Sequence, residues 1–170
     1  FYIGDGMAST QRRVAEEVFG RKLNMNQLPV VGLYTTFSAN SIITDSAAAG
    51  TAMATGRKAD SLVISMDPEK KIAFETLAEA AKKMGKSVGI LTTTGLTHAT
   101  PACFSAHIES RNSENEIAEQ YLERNFDVWM GGGRRNFIPK SADNRQMPDK
   151  TLRSKRKDER DLLKEFADKG

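Results

Sequence analysis

The sequence predicts an α/β fold with a mostly parallel central sheet flanked by helices, incomplete within these 170 residues. Three observations lead there. A helix-period stretch over residues 74–84 stops at Gly85 and runs straight into Ser87-Val88-Gly89-Ile90-Leu91-Thr92-Thr93-Thr94, the helix-to-parallel-strand step of a βαβ unit. β-Branched and aromatic runs recur between helical patterns, at residues 30–37 and 126–130, as strands of such a sheet require. These runs end in polar or glycine-rich segments, and open α/β sheets bind ligands at the carboxyl ends of their strands.

Taken in order, Phe1-Tyr2-Ile3 reads as the end of a buried central strand that delivers Gly4-Asp5-Gly6 to the sheet edge. From Ser9 the pattern is helical, with Val14, Ala15, Val18 and Phe19 on one face, Arg12, Arg13, Glu16 and Glu17 on the other, and Gly20 as the stop. Residues 30–37 form the next expected strand. A helix then starts at Asp45-Ser46 and closes at Gly56-Arg57-Lys58. Leu62-Val63-Ile64-Ser65-Met66 enters an Asp67-Pro68 turn as a small hairpin or edge excursion. In the 74–84 helix, Leu77, Ala78 and Ala81 are the buried side; the 87–94 run is a central strand. Residues 93–102 read as a polar strand-end loop, 113–123 as a helix, and 126–130 as a short buried strand. Gly131-Gly132-Gly133 reads as a turn, because the spacing of a dinucleotide fingerprint and the Gly-Lys-Ser/Thr ending of a P-loop are missing. Residues 136–157 are expected to be a polar loop insertion, and 158–169 a helix with Leu162, Leu163 and Phe166 inward.

Hydrophobic residues make up 39% of the chain and charged residues 28%, enough apolar material for a core and too little charge imbalance for wholesale disorder. The net charge of +3 arises in the tail, where residues 134–170 carry 12 basic and 7 acidic side chains against 13 and 15 in residues 1–133. Arg153-Ser154-Lys155-Arg156-Lys157 reads as a solvated loop rather than a nucleic-acid site, because no aromatic residues interleave with it. Cys103 is the sole cysteine, which excludes an intrachain disulfide and a zinc site built on cysteines. No apolar run approaches a membrane span. Both ends read as cut, so the chain is expected to be a piece of a longer protein.

The candidate chemistry gathers at strand ends. Asp5, between two glycines, is a carboxylate that a cation could approach closely, although turns use the same triplet. In Thr44-Asp45-Ser46-Ala47-Ala48-Ala49-Gly50, Ser46 lies at or beside a helix N-cap, where free N–H groups and the helix dipole favour an anion such as phosphate. The same residues also make an ordinary capped helix start, and both readings stand. His98 and Thr100 would point to one side of an extended segment and could share a cation; a surface histidine bonded to a neighbour is the alternative. His107 reads as a packed or helix-capping histidine. Arg111 has the fork geometry to clamp phosphate, although any exposed loop can carry an arginine.

Together, Gly4-Asp5-Gly6-Met7, Thr44-Asp45-Ser46-Ala47-Ala48-Ala49-Gly50-Thr51-Ala52, Thr97-His98-Ala99-Thr100-Pro101-Ala102, Ala106-His107-Ile108-Glu109-Ser110-Arg111 and Gly131-Gly132-Gly133-Arg134 resemble the alkaline phosphatase family. They follow that family's order and approximate spacing over nearly the whole chain. The resemblance implies that Ser46 accepts the phosphoryl group, that Arg111 holds the phosphate oxygens, and that Asp45 orients Arg111. It implies metal contacts by Asp5, between a zinc and a magnesium site, by Ser46, and by His98 and Thr100 at the third, magnesium-type site. The chemistry agrees, since a serine hydroxyl needs a base or a metal to attack. No Gly-x-Ser-x-Gly elbow surrounds Ser46, because Thr44 and Ala48 flank it. Two zinc ions roughly 3.5–4 Å apart would stabilise the attacking and leaving oxygens of an in-line displacement.

Two departures qualify the resemblance. Position 98 is aspartate in some family members and histidine in others, and an imidazole there disfavours magnesium relative to zinc. The family builds its zinc sites largely from histidines and aspartates in the second half of the chain, and here the only histidines are His98 and His107. The expectation is therefore an N-terminal portion of a phosphate monoester hydrolase, lacking most zinc ligands and inactive alone. Family resemblance further implies a homodimer, exported to the periplasm or the extracellular space. A non-catalytic half that acts only when complemented is one alternative. A sulfatase-like relative is another, disfavoured by Ala48 and Gly50 where sulfatases place proline and arginine. A nucleic-acid-binding module rests on the basic tail alone.

Overall fold

Two units, Phe1–Thr35 and Thr36–Gly170, make up the computed structural model, which describes residues 1–142 and 153–169. In the first unit, helix α1 (Ser9–Phe19) ends at Gly20 in the left-handed conformation, φ +62°, as its sequence predicts. A short 3-10 turn, Asn24–Gln27, folds back onto it. Glu16 holds that turn by accepting from Leu23 N–H at 3.0 Å and from Asn26 Nδ2 at 2.6 Å.

The two expected strands at 1–3 and 30–37 are not strands. Neither stretch has sheet pairing, and apart from the half-buried Ile3 their side chains are exposed, Tyr2 and Leu33 almost completely. A strand needs a partner for its N–H and C=O groups, and no described strand pairs with either.

The second unit carries the sheet and the core. Helix α2 (Ser46–Thr55) is capped by Asp45 and stopped by Gly56 at φ +72°. Helix α3 (Leu77–Lys83) begins later than residue 74. Its start is a capping box, in which Thr76 Oγ1 accepts from Glu79 N–H at 3.1 Å and Glu79 accepts from Thr76 N–H at 2.9 Å. Leu77, expected on the buried side, stands at the first helical position and is exposed, whereas Ala78 is buried. Gly85 follows in the left-handed conformation.

Strand β1 (Gly89–Gly95) pairs in parallel with β2 (Val128–Gly132), with Gly89 opposite Val128, Ile90 opposite Trp129 and Leu91 opposite Met130. Between them run a short helix α4 (Ala99–Ala102) and helix α5 (Glu114–Glu123), the crossover that a parallel pair requires. The sheet is not buried on both faces. Trp129 stacks at 4.3 Å on the buried Tyr121 of α5, whereas Leu91, Val128 and Met130 on the other face are exposed. The glycine run is only partly a turn: Gly131 and Gly132 belong to β2, and Gly133 alone turns, at φ +90°. A Cβ on Gly131 would lie 2.6 Å from Thr92 Cγ2, so the strand ends approach too closely for a side chain.

The core joins α2, α4, α5 and helix α6 (Leu162–Lys169) through Ala47, Ala54, Ala102, Cys103, Ile117, Tyr121 and Leu162, with Ile64 and Phe137 from the connecting segments. Leu162 and Phe166 face it, but Leu163, expected inward, is exposed. Of the polar stretch 136–157, residues 143–152 lie outside the described residues. The remainder is less loop-like than its composition suggests, since Asn136, Phe137, Ile138 and Arg156 are buried. Arg156 is not solvated: its guanidinium pairs with Asp158 at 2.5 Å and Glu119 at 2.7 Å and donates to Asn136 O at 3.3 Å. Among the described residues no helix is long and apolar enough to cross a membrane.

Candidate functional site

The site is built on the N-terminus of α2. Asp45 has extended backbone angles and caps the helix, its Oδ1 accepting from Ala48 N–H at 3.0 Å. Ser46 is the first helical residue, beside the cap rather than on it, and is partly exposed. The small residues behind it allow close packing: Ala47 and Ala48 are buried, and a Cβ on Gly50 would lie 2.9 Å from Cys103 Sγ and 3.1 Å from Cys103 Cβ. Cys103 Sγ donates to Ala47 O at 3.1 Å, and Ser65 Oγ donates to Cys103 O at 2.6 Å. Burial pushes the Cys103 thiol up to about 12, so it packs and is not a nucleophile at neutral pH.

Arg111 comes to this helix start from far along the chain. Its Nη1 donates to Asp45 Oδ2 at 3.1 Å, and both side chains are about a quarter exposed. Its main-chain N–H donates to Leu62 O at 2.8 Å. Burial works to raise the Asp45 pKa, but hydrogen bonds from Ala48, Leu62 and Arg111 outweigh it and hold the carboxyl below its usual value. The result is an ionised Asp45 that caps α2 and fixes a partly exposed guanidinium at the helix start, where Ser46 follows it in the chain. Such an arrangement can bind an anion and present a hydroxyl to it.

The remaining predicted residues fall as follows. His98 caps α4 with its main chain and is exposed, and Thr100 lies inside α4. The extended segment that would have put both side chains on one side therefore does not exist. Pro101, in the first turn of α4, costs no hydrogen bond there and so does not prevent the helix. Thr100 does reach α2, with its Cα 3.8 Å from where a Cβ on Gly50 would stand. Asp5 lies in the first unit, exposed in a turn closed by Met7 N–H to Gly4 O at 3.0 Å, not at a strand end.

His107 is packed, as expected. Its Nδ1 faces Ser65 O and its Nε2 faces Glu79 Oε1, both at 2.9 Å. Glu79 also pairs with Arg124 at 2.7 Å. Burial opposes ionisation of Glu79, yet the bond from His107, the Thr76 N–H and the charge of Arg124 bring its pKa down to about 2. With both ring nitrogens engaged, His107 has none left for a metal. Among the described residues no three His, Cys, Asp or Glu side chains form a group that could hold a metal ion.

Leu62 is the site residue that the sequence hides. Its N–H donates to Asp45 Oδ1 at 3.2 Å and its carbonyl receives Arg111. It acts through the main chain, and the only hint in the sequence is the Asp60-Ser61 turn pair before it.

Comparison with known proteins gives a consistent picture. The family model described as alkaline phosphatase matches residues 1–170. The repressible alkaline phosphatase of Saccharomyces cerevisiae is 35% identical over 185 residues, covering 100% of this chain and 31% of the yeast protein. Among solved structures, alkaline phosphatase from the Antarctic bacterium TAB5 superposes with a TM-score of 0.79 at 29% identity, over 95% of this chain and 43% of that one. A TAB5 variant with a histidine replaced by aspartate has magnesium bound in its M3 site. The Thermus thermophilus enzyme gives a TM-score of 0.77 at 38% identity, over 94% of this chain and 31% of that one. The chain spans 31%, 28% and 22% of the length of three curated relatives from yeast and Bacillus subtilis.

Proposed function

The chain belongs to the alkaline phosphatase family, and on that premise we propose that it carries the phosphoryl acceptor and the anion clamp of a phosphate monoester hydrolase. The observation that supports this reading is the Arg111–Asp45 pair, 3.1 Å apart beside Ser46 at the start of α2. Arg111, held by Asp45 through Nη1, would clamp the phosphate oxygens with its guanidinium. Asp45 keeps the guanidinium in place. Ser46 Oγ would attack phosphorus, displacing the alcohol and leaving a phosphoserine that water then opens.

The family implies zinc and magnesium, and the donors present here meet only part of that requirement. A two-zinc site does not fit this chain alone, because His107 is committed to Ser65 and Glu79 and no group of three donors exists among the described residues. The zinc ligands this chain lacks would come from polypeptide outside these 170 residues. His98 and Thr100 at the head of α4 remain candidates for a third site; Asp5, in the first unit, is proposed separately as a metal contact. The TAB5 variant that binds magnesium after a histidine-to-aspartate exchange is in keeping with His98 disfavouring magnesium. Dimerisation and export to the periplasm or the extracellular space belong to the same proposal.

A second reading concerns the chain as an object, namely a half-domain active only when complemented. It is favoured by the bare apolar sheet face of Leu91, Val128 and Met130, since parallel sheets are covered on both faces.

The test is hydrolysis of a nitrophenyl phosphate ester at alkaline pH by the intact natural protein. The expected result is activity that a chelator removes and zinc restores. Absence of hydrolysis with zinc and magnesium present, or activity indifferent to chelation, would overturn the reading.

A further inference from the structure

Leu62 has a left-handed backbone, φ +73°. It is the third residue of a turn closed by Val63 N–H to Asp60 O at 3.2 Å, a position where positive φ is ordinarily given to glycine or asparagine. Its side chain is 46% exposed, so burial of the leucine does not account for the conformation. Its main chain is used in both directions, N–H to Asp45 Oδ1 at 3.2 Å and O from Arg111 N–H at 2.8 Å.

The segments around it are anchored. Ser61 N–H donates to Asn40 Oδ1 at 3.0 Å, and buried Val63 accepts from Thr51 Oγ1 of α2 at 3.4 Å. Ile64 and Ile108 exchange main-chain bonds at 2.9 and 3.0 Å. Between these anchors, turning φ of Leu62 to a negative value would swing its N–H away relative to its C=O. One of the bonds to Asp45 and Arg111 would then be lost.

We propose that Leu62 is a positioning residue for the phosphate clamp: its left-handed main chain, not its side chain, sets Asp45 and Arg111 at their spacing beside Ser46. The inference rests on the phosphate monoester reading of that site. A β-branched residue resists positive φ, whereas glycine adopts it freely.

The experiment compares Leu62→Val and Leu62→Gly in the intact natural protein, each with and without Arg111→Ala, by calorimetric binding of inorganic phosphate. Leu62→Val is expected to weaken phosphate binding by about tenfold, as displacement of a clamp does. Leu62→Gly stays within about twofold of the wild type. The valine effect disappears when Arg111 is already alanine, the signature of action through that residue. Wild-type affinity in Leu62→Val, or an equal loss in both backgrounds, would overturn the proposal; a merely structural role lowers the melting temperature without changing the affinity of the folded protein. If the valine variant does not fold, Leu62→Ala supplies the same comparison.

A second measurement does not depend on phosphate. The Arg111 Nη protons should be resolved by NMR in the wild type and in Leu62→Gly, and averaged in Leu62→Val. If the wild type binds no phosphate, the phosphatase reading fails while this arm still decides the positioning claim: identical Arg111 spectra in all three proteins would end it.

Discussion

Arg111 Nη1 donates to Asp45 Oδ2 at 3.1 Å across 66 residues of sequence, and this pair ties the segment before α5 to the N-terminus of α2. Asp45 has two tasks there, capping the helix and holding the guanidinium. Asp45→Asn keeps an oxygen for Ala48 N–H but loses the charge; Asp45→Ala loses both. The alanine variant is expected to be less stable by about 1 kcal/mol, the usual worth of a cap. The asparagine variant should lose less stability yet still bind inorganic phosphate more weakly, because charge-assisted bonds hold Arg111 better than neutral ones. Thermal denaturation and phosphate inhibition separate the effects, and wild-type phosphate affinity in Asp45→Asn would break the link.

Gly50 sits where α2 meets Cys103, with 2.9 Å to Sγ for any added Cβ. Cys103 cannot retreat easily, because its thiol donates to Ala47 O and it is fully buried. Gly50→Ala is expected to destabilise by about 1–3 kcal/mol, the range for overpacking, despite the better helix propensity of alanine. Urea denaturation measures it. An increase in stability would mean that the α2–α4 contact is looser than described.

The Glu79–His107–Arg124 cluster contributes to the acid response. The Glu79 pKa is lowered to about 2 from an ordinary 4.5. A depressed carboxyl contributes stability that is fully present above its unfolded value and is lost as pH falls through the folded one. The contribution should therefore be constant above about pH 5 and decline toward pH 2. Glu79→Gln should flatten that part of the curve of unfolding free energy against pH. An unchanged slope between pH 5 and 2 would show that Glu79 is not held ionised.

Metal content follows from the donors. This 170-residue chain, purified alone, is expected to bind fewer than two tightly held zinc ions, since its histidines are His98 and the already engaged His107. Elemental analysis after dialysis reads this directly, and a full complement of two zinc ions would refute it.

Much of the second unit was legible because its signals are local. Asp45 before a small-residue run and Gly56 after it mark both ends of α2, and Gly85 follows α3 as read; in the first unit Gly20 closes α1 in the same way. Helical periodicity begins at residue 74, but the Thr76–Glu79 capping box that sets the true start is itself present in the sequence. Strand readings fared differently, because a strand exists only with a partner distant in sequence. Ile90 and Leu91 found Trp129 and Met130, whereas residues 30–37, no less β-prone, found none. In the site, side-chain chemistry was readable and main-chain chemistry was not. Ser46, Asp45 and Arg111 announce themselves by type, but Leu62 contributes an N–H and a C=O that any residue possesses. The pairing of His98 with Thr100 assumed an extended segment, and a proline in the first turn of α4 gave no warning against helix.

Ser46 at the head of α2 is proposed to accept the phosphoryl group. The most direct measurement is mass spectrometry of the intact natural protein, mixed with a phosphate monoester and quenched in acid. Phosphate attached to Ser46, and absent from Ser46→Ala, is the predicted result. Turnover at full rate in Ser46→Ala, or phosphate trapped on a different residue, would contradict it.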